Sequence, residues 1–577
     1  MKGTMTRLTR RLLDRPRRSL LVAAATAIAV TAGTSITSAA WTDSEWVKAS
    51  VGVSAPGDCT TNTMFTNQAW ARQLSGTVLS TSLDSIAGVE GLTVSNNGAT
   101  ASPVPVSATP VPGTADAFIS KLPVTALGSN PITAALGLGI PVGGLGTYTQ
   151  WAQSQNNGHS RGAAGLVSDQ SGTVDAAGTA NGSATAPKAA SISLGALVPA
   201  SLSGVTLDIG ALASSAQLDA CEMVNGWPAL DATPTVQRDY GIASLDLNAN
   251  VASVGALSTQ GATLVGAVPT QLNALLGTGG LATGITNGIS AIVNPLLGTL
   301  TLGSISTNAT LSAPDLSGVT ALMTESMTDG IVTVDLGAGT ISVNIASLAG
   351  GTTGLNGMGP NHAVVLDAAI TAAVTSKVTA LLNAWKTRVL TALTTALRAI
   401  TLNATTNITL KLAGINAATI GVNMGPSTLG QFLDGTAVAP AVTADVIGLD
   451  LGGVVAALLS PITGALLSGT NGVVQTVLNA TVFNSGIIPA LGTGLQSLIT
   501  PVVNAVAPIL TAFSSTVSIR VNVQPDQPWT STKPADATAA VGEYKVSALR
   551  VGLIDSASLL SLSLGNASAG PASLRAP

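Results

Sequence analysis

"TLNATTNITL", Thr401 to Leu410, alternates apolar and polar residues, and a related stretch, "TLGSISTNATL", runs from Thr301 to Leu311. A period of two places one set of side chains on each face of a β-strand. Both stretches begin with Thr-Leu and close on TN[A/I]TL, and each follows an apolar, helix-like segment. "TISVNI" (Thr340–Ile345) is echoed in the same way by "TIGVNM" (Thr419–Met424). Together they predict a repeat of helix, strand pair, strand and linker, with two full units and a partial third ending in "TVSIRVNV" (Thr516–Val523).

Between the two related stretches lies the clearest helix signal, Ala363 to Ile400, which no Gly or Pro interrupts. Ile370, Val374, Val378, Leu381, Trp385, Val389, Leu393 and Leu397 recur at spacings of three and four, which makes one apolar stripe. At 1.5 Å per residue such a helix runs about 55 Å, long enough to line a whole sheet. Upstream, from Trp41 to about Tyr240, the chain is short-patterned and β-leaning, and "PVPVSATPVPG" (Pro103–Gly113) reads as an extended linker or a sheet edge because Pro cannot donate to a ladder. The expected fold class is mixed α+β: elongated and β-rich, with antiparallel sheets packed on long apolar helices and an internally repeated C-terminal half. The expected divisions are 1–40, 41–240 and 241–577.

Charged residues make up only 9% of the 577, so core and surface alike must be built from uncharged residues. Seven of the 23 basic residues fall in the first 18 positions, and without residues 1–40 the chain carries 16 basic and 26 acidic residues. A body of that sign lacks the basic footprint that nucleic acid requires. The basic head is followed by an uncharged run, Ser19 to Thr42, containing "LLVAAATAIAV", with small residues at Ser38 and Ala40. This is the pattern of a secretory signal cut between Ala40 and Trp41, and an uncleaved anchor is the alternative. Export to an oxidising compartment would let Cys59 and Cys221, the two cysteines of the chain, form a disulfide; two buried thiols are the other reading.

Two tracts, Leu247–Pro314 and Leu451–Ile519, contain no Asp, Glu, Lys or Arg. They read either as buried helical layers or as lipid-contacting sequence, and their Gly, Pro, Asn, Gln and Thr content favours the first.

Chemistry-bearing motifs are scarce. His159 and His362 are the only histidines; His159 sits in the turn-like "NNGHSRG" and His362 at an expected helix start. There is no HExxH, no zinc spacing of cysteines and no G-x-S-x-G elbow. "DLNAN" (Asp246–Asn250) opens like a calcium loop but lacks the Gly and the closing Glu that such a loop needs. The recurring "LDIG", "VDLG" and "LDLG" place Asp208, Asp335 and Asp450 beside Gly turns, where a carboxylate caps backbone N–H groups. No catalytic residue, cofactor or metal is expected.

The head "SAAWTDSEWV", the middle "AAGLVSDQSG" and "LDIGALASSAQL", and the end "YKVSALRVGLID" with "LLSLSLGNASAGP" together resemble the choice-of-anchor G proteins. That resemblance implies a secreted or surface protein of Gram-positive bacteria with no established activity. "AAWTDSE" is also similar to signals cut just before an aromatic-Thr-Asp sequence. The final "LGNASAGPASLRAP" departs from the family, having no LPxTG-type sorting signal, apolar span or basic tail. The expected function is that of an extracellular or cell-envelope structural or interaction protein without enzymatic activity. Its expected partners are cell-wall or other surface components, and membrane contact is transient or made through an uncleaved N-terminal helix. The alternative is a lipid- or membrane-active secreted protein that uses tracts 247–314 and 451–519.

Overall fold

The computed structural model describes residues 59–575 except 61–63, 79–80, 83–90, 123–137, 140–147, 175–189, 194–203, 278–279, 299, 351–352, 447–451, 468–471 and 554–559. The Ala40–Trp41 junction and Asp450 lie outside the described residues. Strands and helices are mixed, and all strand pairing in the four sheets is antiparallel.

An eight-stranded sheet is built around the pair Phe65–Val78 and Leu560–Leu574, which run side by side from Phe65 opposite Leu574 to Val78 opposite Leu560. It packs face to face on a six-stranded sheet whose long members are Tyr148–Ser154, His159–Gly165, Leu212–Val224 and Trp227–Ile242. The two facing layers meet through small residues: Ala69, Ala71, Ala152, Ala216, Ala567 and Ala569 are all buried. A Cβ on Gly162 would stand 2.3 Å from the Trp70 carbonyl oxygen and 2.5 Å from that of Ser568, so no larger residue fits there. Serines join the layers, with Ser214 Oγ donating to the Gly565 carbonyl at 2.7 Å and Ser160 Oγ accepting from Gly570 N at 3.1 Å.

"PVPVSATPVPG" supplies edges to both of these sheets. Ala101–Val104 is the last strand of the eight-stranded sheet and Thr109–Pro110 that of the six-stranded one, so its prolines sit where a missing donor matters least.

The second half of the fold is helical. Ala368–Ala399 is one unbroken helix of 32 residues, about 48 Å long, started by Asp367, whose side chain accepts from Ile370 N at 2.8 Å. It buries Val374, Val378, Leu382, Trp385, Val389, Leu393 and Leu397, while Ile370 and Leu381 are only half-buried. The helix starts five residues later than the apolar spacing implies. The reason is that His362–Val364 is drawn off as a short strand beside Val517–Val523, which places His362 on a sheet edge instead of a helix start.

Helix Ile487–Thr516 packs against this helix and against Ala252–Gly266. Its Val506, Ile509 and Leu510 meet Leu247, Ala249, Ile341 and Val343 of a seven-stranded sheet. Helix Leu281–Val293 receives Val473–Leu478 at Gly284 and Gly288, where a Cβ would lie 2.5 Å from Val477 Cγ2 and 2.4 Å from Val473 Cγ2. Both uncharged tracts therefore contribute buried helical stripes to one core.

The related stretches occupy unexpected places. Thr301–Leu311 and Thr401–Leu412 are hydrogen-bonded neighbours in one four-stranded sheet, with Leu302 opposite Leu410 and Leu311 opposite Leu402. "TISVNI" belongs to the seven-stranded sheet and "TIGVNM" to the four-stranded one. "DLNAN" is a strand, Leu245–Asn250, and not a loop. Pairing also crosses residue 240: Val205–Ile209 is bonded to Leu245–Asn250, and Phe65–Val78 to Leu560–Leu574.

Trp385 is 0% exposed and its indole N–H donates to the Leu322 carbonyl at 2.7 Å, at a point where Gly261 and Leu495 also converge. Trp385→Ala is expected to lower stability by about 3–5 kcal/mol, read as an earlier denaturant midpoint. An unchanged midpoint would mean that this junction contributes nothing to the core.

Candidate functional site

Two places on the molecule are candidates, one for chemistry and one for contact. The first is built where strands His159–Gly165 and Leu212–Val224 pair so that His159 stands opposite Asp219. The turn before it is set by Asn157 Oδ1, which accepts from His159 N at 3.0 Å, and by Gly158 at φ 88°. A Cβ on Gly158 would press to 3.2 Å from Cys221 N, and Ala220 N donates to the Gly158 carbonyl at 3.1 Å.

Cys59 and Cys221 stand at disulfide distance there, with 5.7 Å between Cα atoms and a sequence separation of 162. With Gln153, Gln155, Asn157, His159 and Asp219 they line a pocket of about 270 Å³. His159 Nδ1 and Asp219 Oδ1 are 2.5 Å apart, and Gln217 Nε2 donates to the other carboxylate oxygen at 3.2 Å. The His159 hydrogen bond holds the Asp219 carboxyl below its ordinary range.

A histidine oriented by a carboxylate is half of a catalytic arrangement, and the other half is a nucleophile within about 3 Å. The described lining offers no hydroxyl, amine or free thiol, since its two sulfurs are joined to each other. The pair ties strands His159–Gly165 and Leu212–Val224 together at this register. His362, exposed on its strand edge, lies in a different sheet from His159. Among the described residues no group of three or more His, Cys, Asp or Glu side chains could hold a metal ion. Of the expected turn caps, Asp335 accepts from Ala338 N at 2.7 Å, whereas Asp208 lies mid-sheet and accepts from Ser191 at 2.5 Å and from Asn248 at 2.8 Å.

The second candidate is the outer face of the four-stranded sheet, Thr301–Leu311, Thr401–Leu412, Ile415–Thr428 and Ala441–Val446. Alternation puts Leu402, Ala404, Ile408, Leu410, Ile420, Val422 and Met424 in the core. The opposite side chains form rows across the strands. One row is Asn308, Thr405, Asn423 and Ala441; the next is Ser306, Asn407, Gly421 and Thr443. Lys411 and Asp445 are the sole charges on the four strands; neither is in these two rows, and Asp445 stands in the next one, opposite Thr419. Strand spacing sets neighbours within a row about 4.8 Å apart, and the rows themselves lie nearly 7 Å apart along the strands. Such a surface offers donors and acceptors together, with no net field to attract or repel a charged partner.

A third polar cluster is structural. Arg550 is almost fully buried and donates to Asp536 through Nε at 3.2 Å and Nη2 at 2.9 Å, and Ser561 donates to the same carboxylate. Burial pulls the Asp536 carboxyl up, but the hydrogen bonds from Arg550 and Ser561 outweigh it and hold the group below its ordinary range.

Three outcomes are expected. Asp219 and Asp536 both ionise more readily in the folded chain than in the unfolded one, so their stabilisation is full above about pH 4, the unfolded value, and is lost as pH falls through the folded values. Denaturant midpoints should hold steady from neutral pH to about pH 5 and drop below about pH 4, and Asp536→Asn should cost about 3 kcal/mol at pH 7 by leaving Arg550 unpaired. Replacing Cys59 and Cys221 by Ser should cost about 2–5 kcal/mol, with the native chain migrating differently on gels with and without reductant.

The signal for the neutral face was present in the alternation of Thr401–Leu410, whereas nothing in sequence links His159 to Asp219, 60 residues away. Comparison with known families matches the chain to a domain of unknown function (DUF8394) over residues 69–570. Searches of curated proteins and of solved structures found no match. Because the matched span takes in strands of all four sheets and both long helices, the chain belongs to the DUF8394 family.

Proposed function

We propose that the protein is a secreted or cell-envelope interaction protein that presents an uncharged, hydrogen-bonding surface and catalyses no reaction. The observation that carries this reading is the outer face of the four-stranded sheet, with its rows of Ser, Thr and Asn. A face of this kind suits a neutral, hydroxyl-rich surface component of the cell wall, because both sides exchange hydrogen bonds with water at little electrostatic cost. The Cys59–Cys221 pair supports an oxidising, extracellular setting. The resemblance to choice-of-anchor G proteins points to the same setting, and the acidic body argues against nucleic acid as partner.

A second reading, of a lipid- or membrane-active protein, is favoured by one observation. Val473–Thr516 is a helical stretch of 44 residues long and apolar enough to cross a bilayer by length and composition, with only 28% of its most apolar window buried. Its outward positions weigh against that reading: Thr493, Gln496, Ser497, Thr500, Asn504, Thr511 and Ser514 are exposed, while the Leu, Ile and Val stripe faces the core.

Fractionation of producing cells should recover the mature chain in wall or medium, and N-terminal sequencing should begin at Trp41. Thr405→Lys with Asn407→Lys should reduce retention on isolated walls at least fivefold while leaving the melting temperature within a few degrees. Recovery in cytosol alone would overturn the localisation, and undiminished retention would remove the sheet face as the contact.

A further inference from the structure

We propose that the hairpin tip Cys221–Leu230 is a docking element that seats in the interfacial layer of a lipid bilayer. The tip reads "CEMVNGWPAL", and its turn is Asn225-Gly226, with φ 52° and 83°. Two left-handed residues in succession make the tight turn whose twist matches the flanking strands, so the tip is preformed. Val224 pairs with Trp227, Met223 with Pro228 and Cys221 with Leu230. Trp227 is 55% exposed, Met223 46%, Val224 44% and Leu230 44%. No other described tryptophan is classed as exposed, and no charge occurs from Met223 to Leu230.

The choice of partner follows from how these side chains are disposed. Alternation along each strand puts Val224 and Trp227 on one face of the hairpin and Met223, Pro228 and Leu230 on the other. A flat protein surface or a sugar chain stacked on the indole would cover one face and leave the other in water. A bilayer surrounds the tip and takes both. Depth agrees: from the Cys221–Leu230 pair to the Val224–Trp227 pair is three residue steps, about 10 Å, which matches the reach of interfacial elements. Tryptophan favours that layer because its ring is apolar and its N–H finds water or headgroups.

The two nearest charges are acidic, Glu222 and Asp231, so attraction to anionic lipid is absent and the preferred surface is zwitterionic. The base of the hairpin is held rigid by Cys59 on Cys221, which is also where the chain enters the described fold.

The test uses the full chain with phosphatidylcholine vesicles, some carrying a doxyl quencher on the lipid. Quenching of tryptophan fluorescence is expected, with a component that disappears in Trp227→Phe although the vesicles are still bound. Trp227→Ser combined with Leu230→Ser should weaken partition at least tenfold, with an unchanged thermal melt. Partition should be insensitive to salt and should fall when phosphatidylglycerol is added. If Trp227→Phe leaves the quenched component intact, or the double variant partitions like the native chain, the tip does not reach lipid and the proposal fails. It fails equally if Trp227→Ser abolishes retention on a neutral insoluble polysaccharide while vesicle partition is untouched, which would make the tip a sugar-stacking element.

Discussion

Gly162 faces the carbonyl oxygens of Trp70 and Ser568 across a gap that has no room for a methyl group, and the architecture of the strand-rich half depends on that closeness. At that point the sheets cannot bury Leu or Phe between them, whereas to either side Leu218 packs on Val546, and Leu92 and Val94 pack on Ala152. Around Gly162 the layers bury Ala, Gly and Ser, and the buried hydroxyls of Ser214 and Ser160 find partners across the gap. A chain with 3% aromatic residues and 63 glycines is therefore well matched to such an interface. Each small residue buries little apolar area, so stability comes from many contacts and not from a few large ones.

The helical half solves a different problem, that of a surface with almost no charge. Threonines populate the outer faces of the long helices, where β-branched residues are ordinarily poor helix formers. Their hydroxyls turn inward to the backbone one turn earlier: Thr375 donates to the Thr371 carbonyl at 2.9 Å, Thr379 to Thr375 at 2.8 Å and Thr500 to Gln496 at 3.1 Å. The helix is left with methyl groups and half-used hydroxyls toward water. High mean hydropathy thus belongs to a neutral exterior as much as to the interior.

How much of this could be read from residues alone depends on how local the cause is. The stripe from Val374 to Leu397 was legible because its period is set by one helix, and only Leu381 and Leu382 exchange roles. Strand faces in Thr401–Leu412 were legible for the same reason. The likeness of Thr301–Leu311 to Thr401–Leu412 was real in sequence, yet it arises between partners in one sheet, which share an inner face and an outer face and so come under the same demands. Asp536 with Arg550, and His159 with Asp219, could not be foreseen, because pairing across a sheet or a covering loop leaves no mark in the local pattern.

Thr66 and Ser573, with a sequence separation of 507, share a hydrogen bond. Leu560–Leu574 is not an edge of its sheet; it lies between Tyr544–Leu553 and Phe65–Val78. A central strand that follows its neighbour Phe65–Val78 by so long a stretch means that the eight-stranded sheet stays open until Leu560–Leu574 itself has been made. Closure over so long a loop is slow, since the entropy lost in bringing distant segments together precedes the contacts that offset it. Such a chain remains pliant for longer than one that folds domain by domain, and a pliant chain is the form that can be threaded through a narrow pore before it sets.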